Sequence, residues 1–112
     1  MARGQVSLLE RIDRALGAAV ARLRADAEAG GYAVSVCVCG DHSSPVLYGD
    51  HSHEPVPFLL CPLERLAADG DAAASGGAGG GFGEIAAAGG PLGRFPGSEV
   101  MPLLRAHLQG AL

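Results

Sequence analysis

The sequence predicts an α/β fold on three observations: an apolar repeat at three- and four-residue steps near the start, a run of β-branched and small apolar residues after a glycine pair, and polar, histidine-bearing loops beyond that run. At 112 residues, with 48% hydrophobic side chains and a net charge of -4, the chain suits one small domain, 1–112. Aromatic residues make up only 4% and Trp is absent, so much of the apolar count is Ala and the core must rely on two or three aliphatic segments.

The first element is a helix, because Leu8, Leu9, Ile12, Leu16, Ala19, Val20 and Leu23 fall on one stripe while Glu10, Arg14 and Arg24 lie off it. Ser7-Leu8-Leu9-Glu10 has the form of a capping box and marks the expected start, and Gly30-Gly31 marks the stop. The segment from Tyr32 to Cys39 reads as a strand buried on both faces. Val46-Leu47-Tyr48 is expected as another short strand. Val56-Pro57-Phe58-Leu59-Leu60 is expected as a third, restricted by its prolines to an edge or a strand start.

Residues 67–90 turn to Ala and Gly and predict a flexible Gly/Ala-rich insertion. A terminal helix is expected from Ser98 to Leu108, with Ser98 as its cap and Pro102 tolerated in the first turn.

Several function classes are disfavoured. The Arg residues form no basic patch, so nucleic acid is not an expected partner. No stretch approaches the roughly 18 consecutive apolar residues of a membrane span, and Met1-Ala2-Arg3-Gly4 leads into an amphipathic segment, so a cytoplasmic protein without a secretory signal is expected. Three cysteines, with Cys37 and Cys39 in the strand and Cys61 distant, give neither a closed disulfide framework nor the paired spacing of a thiolate zinc site.

The chemistry concentrates in Gly40-Asp41-His42-Ser43-Ser44-Pro45 and Asp50-His51-Ser52-His53-Glu54-Pro55. Singly, an Asp after a strand commonly caps a turn and a surface His commonly does nothing. Grouped, carboxylate and imidazole supply the mixed oxygen and nitrogen donors that suit zinc or manganese. Gly40 is expected to turn the chain sharply off the strand, and His51 and His53 would share a face if their loop is extended. His107 lies away from this group.

These two motifs resemble those of the cofactor-independent phosphoglycerate mutases, a metal-dependent family of the alkaline phosphatase superfamily. Its archaeal-type branch carries T-G-D-H-S-T-P and then D-H-S-x-D-P-V-P. The corresponding residues here are Cys39-Gly40-Asp41-His42-Ser43-Ser44-Pro45 and Asp50-His51-Ser52-His53-Glu54-Pro55-Val56-Pro57. Leu9-Glu10-Arg11-Ile12-Asp13 is similar to the family's I-E-x-I-D helix. Phe82-Gly83-Glu84 and the segment from Gly90 to Pro102 are similar to its closing F-S-E and G-x-L-G-R-I-x-G-x-x-L-M-P.

The resemblance implies part of a three-layer sheet with flanking helices and a site for two divalent ions (manganese, zinc or magnesium). Asp41 and His42 would serve one ion and His51 the other. It also implies interconversion of 3-phosphoglycerate and 2-phosphoglycerate through a phosphoserine. The family's nucleophile and remaining ligands match nothing in this chain, so no catalytic residue is assigned, and Ser43 and Ser44 are read as turn formers. The expectation is a C-terminal, metal-binding segment that functions only within a longer protein or with a separate N-terminal partner fragment. The alternatives are a non-catalytic, weakly metal-binding remnant, or a related two-metal phosphatase or phosphomutase.

Overall fold

A computed structural model describes residues 2–66 and 82–111. Helix α1 runs Ala2–Gly30, starting five residues before the expected cap, so Ser7 sits inside the helix rather than at its end. Ala2, Arg3 and Gln5 are good helix formers and carry the helix past the capping signal. The expected stop holds. Ala27 O accepts bonds from Gly31 N and Tyr32 N, and Gly31 takes the left-handed conformation at φ +66°. The Tyr32 ring folds back over Gly30, where a Cβ would collide with it.

Strand β1 (Ser35–Cys39) pairs antiparallel with β2 (Phe58–Pro62), Ser35 opposite Pro62 and Cys39 opposite Phe58. The second strand thus lies two residues beyond the expected one, and Pro57 stands just before it rather than inside its ladder. β1 is not buried on both faces. Ser35, Cys37 and Cys39 are exposed and only Val36 and Val38 are half-buried, because a two-stranded sheet has one covered face.

The expected strand at 46–48 is instead a turn. Pro45 O accepts from Tyr48 N at 3.1 Å and Gly49 N at 3.0 Å, Gly49 takes φ +74°, and Leu47 is left wholly exposed. Pro45 and Gly49 fix the bend, and local turn chemistry overrides the β propensity of Val46 and Tyr48.

The ladder continues through Leu63 N, which donates to Val34 O, into a short 3-10 turn at Leu63–Arg65. Arg24 reaches from α1 to the carbonyls of Leu63 and Leu66 and ties the helix to the sheet. Leu63, 3% exposed, is the buried hydrophobic residue of the described chain. Leu63→Ala is therefore expected to cost about 2–4 kcal/mol. The check is hydrogen exchange, where β1 and β2 amides should lose protection together; unchanged protection would remove Leu63 from the centre of the packing.

The Gly/Ala-rich segment lies outside the described residues from 67 to 81. Beyond it, helix α2 spans Glu84–Ala88. Helix α3 (Val100–Leu108) follows a 3-10 turn at Gly97–Glu99, with Pro102 in its first turn as expected. Ser98 does not cap it. That residue lies inside the 3-10 turn, and the capping position falls to Glu99, without a side-chain bond.

Helices and a small sheet thus make an α/β arrangement, as expected at that level. The described residues form two antiparallel strands, not three layers. Among them no helix is long and apolar enough to cross a membrane.

Candidate functional site

The site grows from the end of β1. Asp41 Oδ1 accepts the backbone N–H of His42 at 2.9 Å, and Asp50 Oδ1 accepts that of His51 at 2.7 Å. The same Asp-His turn thus occurs twice, each carboxylate fixing the backbone that presents the next imidazole. A one-pair antiparallel bridge between Ser43 and Ser52 ties the loops: Ser52 N donates to Ser43 O at 2.9 Å, and the Ser43 hydroxyl donates to Glu54 O at 3.1 Å. The chain bends at Asp41 and His42, directly after Gly40, as expected, but Gly40 has no positive φ and a Cβ there would meet Val56 at an ordinary 3.6 Å, so the bend does not depend on the freedom of glycine.

This clamp brings His42 and His51 together, their ring centroids 3.6 Å apart and their planes inclined by 43°. Ser44 Oγ lies between them, 2.9 Å from His51 Nδ1 and 3.3 Å from His42 Nδ1. A hydroxyl has one hydrogen and two lone pairs, so Ser44 can donate to at most one ring and can accept from both. When it accepts from both, His51 Nδ1 is a donor to Ser44 and so is His42 Nδ1. The latter also stands 3.3 Å from Ser43 O, and the bare nitrogen of that ring is then Nε2.

His42 Nε2 lies 3.4 Å from Asp41 Oδ2. Two donor atoms on one tetrahedral zinc, each at about 2.0–2.1 Å, stand about 3.3 Å apart, so this pair has the spacing of two ligands to one ion. His51 Nε2 is bare in the same state, so both rings can face an ion together.

The donors fit part of a metal site. Asp41 and His42 stand at a spacing that one ion could bridge and His51 is a neighbour of that pair, but no three His, Cys, Asp or Glu side chains among the described residues are grouped to hold a metal. His53 makes none of the contacts that join His42, Ser44 and His51. Ser52 Oγ is shut off from solvent and completes no hydrogen bond. Its hydroxyl nevertheless stands near enough to be the main influence holding the exposed Glu54 carboxyl below its usual range, ahead of the Glu54 backbone.

The role of Ser44 is absent from the sequence reading, which took it as a turn former. Ser44→Ala is expected to leave the Ser43–Ser52 clamp in place and remove about 1 kcal/mol of hydrogen bonding between the rings. Cross-relaxation between the ring protons of His42 and His51 should then disappear; its persistence would show that Ser44 does not hold the pair.

Away from this cluster, His107 Nε2 meets the Ser35 hydroxyl at 2.8 Å, joining α3 to the start of β1. Cys37, Cys39 and Cys61 are free thiols. The Cys37 thiol is pushed up by desolvation first and then by the Cys39 thiol beside it, and Cys61 is pushed up mainly by desolvation. A cleft of about 650 Å³ opens between β2 and the segment around α2, with Val56, Phe58, Leu92 and Phe95 in its wall. Phe58 and Phe95 meet edge to face at 5.1 Å.

No family model matches the chain. No solved structure matches it either. Among curated proteins, it is 39% identical over 106 residues to a 2,3-bisphosphoglycerate-independent phosphoglycerate mutase of Pyrobaculum neutrophilum, covering 95% of this chain and 22% of that protein. A mutase of the same name from Methanopyrus kandleri is 38% identical over 104 residues, 93% of this chain and 21% of its own length. A probable one from Thermus thermophilus is 42% identical over 73 residues, 64% of this chain and 16% of the relative. The chain spans about a fifth of the length of the first of these relatives.

Proposed function

We propose, from the premise that this chain is a relative of the 2,3-bisphosphoglycerate-independent phosphoglycerate mutases, that it supplies the C-terminal, metal-binding part of such an enzyme. The observation that carries the reading is the convergence of the two Asp-His turns, whose donors Asp41, His42 and His51 occupy the segment shared with the relatives.

In this reading Asp41 and His42 hold one divalent ion and His51 contributes to a second. Such ions, when bound, neutralise charge on a phosphoryl group and activate a nucleophile. The chain's own part is positioning. Asp41 and Asp50 hold the imidazole-bearing backbone, Ser44 orients the two rings, and the Ser43–Ser52 bridge fixes the spacing between loops. The serine that is transiently phosphorylated, and the remaining ligands, come from a partner segment. Together they interconvert 3-phosphoglycerate and 2-phosphoglycerate, in the cytoplasm.

The test is a coupled assay for conversion of 3-phosphoglycerate to 2-phosphoglycerate with manganese. The chain would be assayed alone and mixed with the complementary part of the Pyrobaculum neutrophilum relative. Turnover that requires both pieces supports the reading. The incomplete donor set among the described residues favours a second reading, a non-catalytic metal-binding remnant. Manganese binding by the chain without turnover in any mixture would select it.

A further inference from the structure

We propose that Cys37 and Cys39 form a dithiol site for trivalent arsenicals on the exposed face of β1. The strand alternates, with Ser35, Cys37 and Cys39 exposed and Val36 and Val38 half-buried, so both thiols stand on one accessible side. Residues two apart on a strand are about 6.8 Å apart along its axis. Rotation of the two side chains toward each other is therefore needed to place both sulfurs on one small atom, and their exposure leaves room for it. The two thiols are neighbours: after desolvation, the nearby Cys39 thiol helps to push that of Cys37 up.

The register separates this pair from the third cysteine. Cys61 is opposite Val36, on the other side of the sheet, and is partly covered. A third thiol is thus kept away, which fits an atom that takes two thiolates and keeps one other substituent. The pair also differs from the Asp41 and His42 donors, since soft sulfur prefers soft acceptors and carboxylate and imidazole prefer harder divalent ions. With phenylarsine oxide the chemistry balances simply. Two As–S bonds form, the arsenic–oxygen bond breaks, and the oxygen leaves as water with the two thiol protons.

Cys39 is separated from Asp41 only by Gly40. Closing a ring on the strand end therefore fixes the point from which the Asp41-His42 turn departs.

The experiment uses the full chain with phenylarsine oxide, read by intact mass and by protection of thiols against N-ethylmaleimide. The expected result is one arsenical per chain, two thiols protected together, reversal by a dithiol such as dimercaptopropanol, and resistance to glutathione. C37S and C39S should each release the arsenical to glutathione about 100-fold faster, the scale on which a second tethered contact raises apparent affinity. C61S should behave as the unmodified chain. Capture lost in C61S, or retained unchanged in either C37S or C39S, would overturn the proposal.

Discussion

His51→Ala will reduce mutase turnover of the reconstituted enzyme by more than about 100-fold. Replacing groups that merely orient a metal ligand already costs about 10–100-fold in affinity or activity, and His51 is proposed as a ligand itself. The side chain is exposed, and when its contacts to Ser44 and His42 are lost the Ser43–Ser52 backbone bond still ties the two loops. The fold of the variant should therefore be unchanged. The measurement is the coupled assay on the mixed pieces, alongside manganese titration of the chain by calorimetry. His53→Ala serves as the matched control because that residue takes no part in the ring cluster. Equal activity for the two variants would remove His51 from the site.

The second large effect concerns α1. Its apolar stripe is laid down at helical spacing, yet Leu9 is 64% and Ile12 54% exposed, and Val6 and Leu8 are also open. The proposed partner, the complementary four-fifths of a mutase, gives that stripe something to cover it. Ile12→Asp should accordingly change the isolated chain by no more than about 0.5 kcal/mol, as exposed positions do. Burying the new carboxylate in an apolar contact costs several kcal/mol, so assembly with the complementary piece should weaken by about a thousandfold. Sedimentation of the mixture measures this directly. If Ile12→Asp assembles as well as the unmodified chain, the stripe is not the contact.

How much of this was legible in the sequence depends on the range of the forces involved. The body of α1 and its end at Gly30-Gly31 were readable because the 3.6-residue repeat and the left-handed glycine are local signals. Its start was misread because Ala2, Arg3 and Gln5 are good helix formers and carry the helix through Gly4 into the chain before Ser7. Val46 and Tyr48 favour strands, but Pro45 and Gly49 close a turn that leaves them no strand to pair with. The one-sided burial of β1 was illegible for a different reason: a continuous apolar run reads the same whether the sheet beside it is wide or narrow.

At the site, the two Asp-His pairs were visible as residue types, and their convergence followed from the serine bridge between loops. Ser44 was hidden because a serine after a strand fits many turns equally well. The tie between His107 and Ser35 had no sequence signal at all, the two residues standing 72 positions apart. Likeness to known mutase motifs pointed to the right relatives, but a sequence that matches about a fifth of their length could not by itself show how many layers it builds.

The separations along the chain also bear on when the cluster takes shape. Ser44 and His51 are seven positions apart and Ser43 and Glu54 eleven, whereas Arg24 and Leu66 are 42 apart. Loops of about ten residues close in roughly 10–100 ns, and the entropy lost in closing them grows only slowly with length. The paired turns can thus form before the long-range contacts that join α1 to the sheet. A motif assembled from one short stretch is portable: it can be moved between scaffolds as a single insertion, carrying its internal geometry with it.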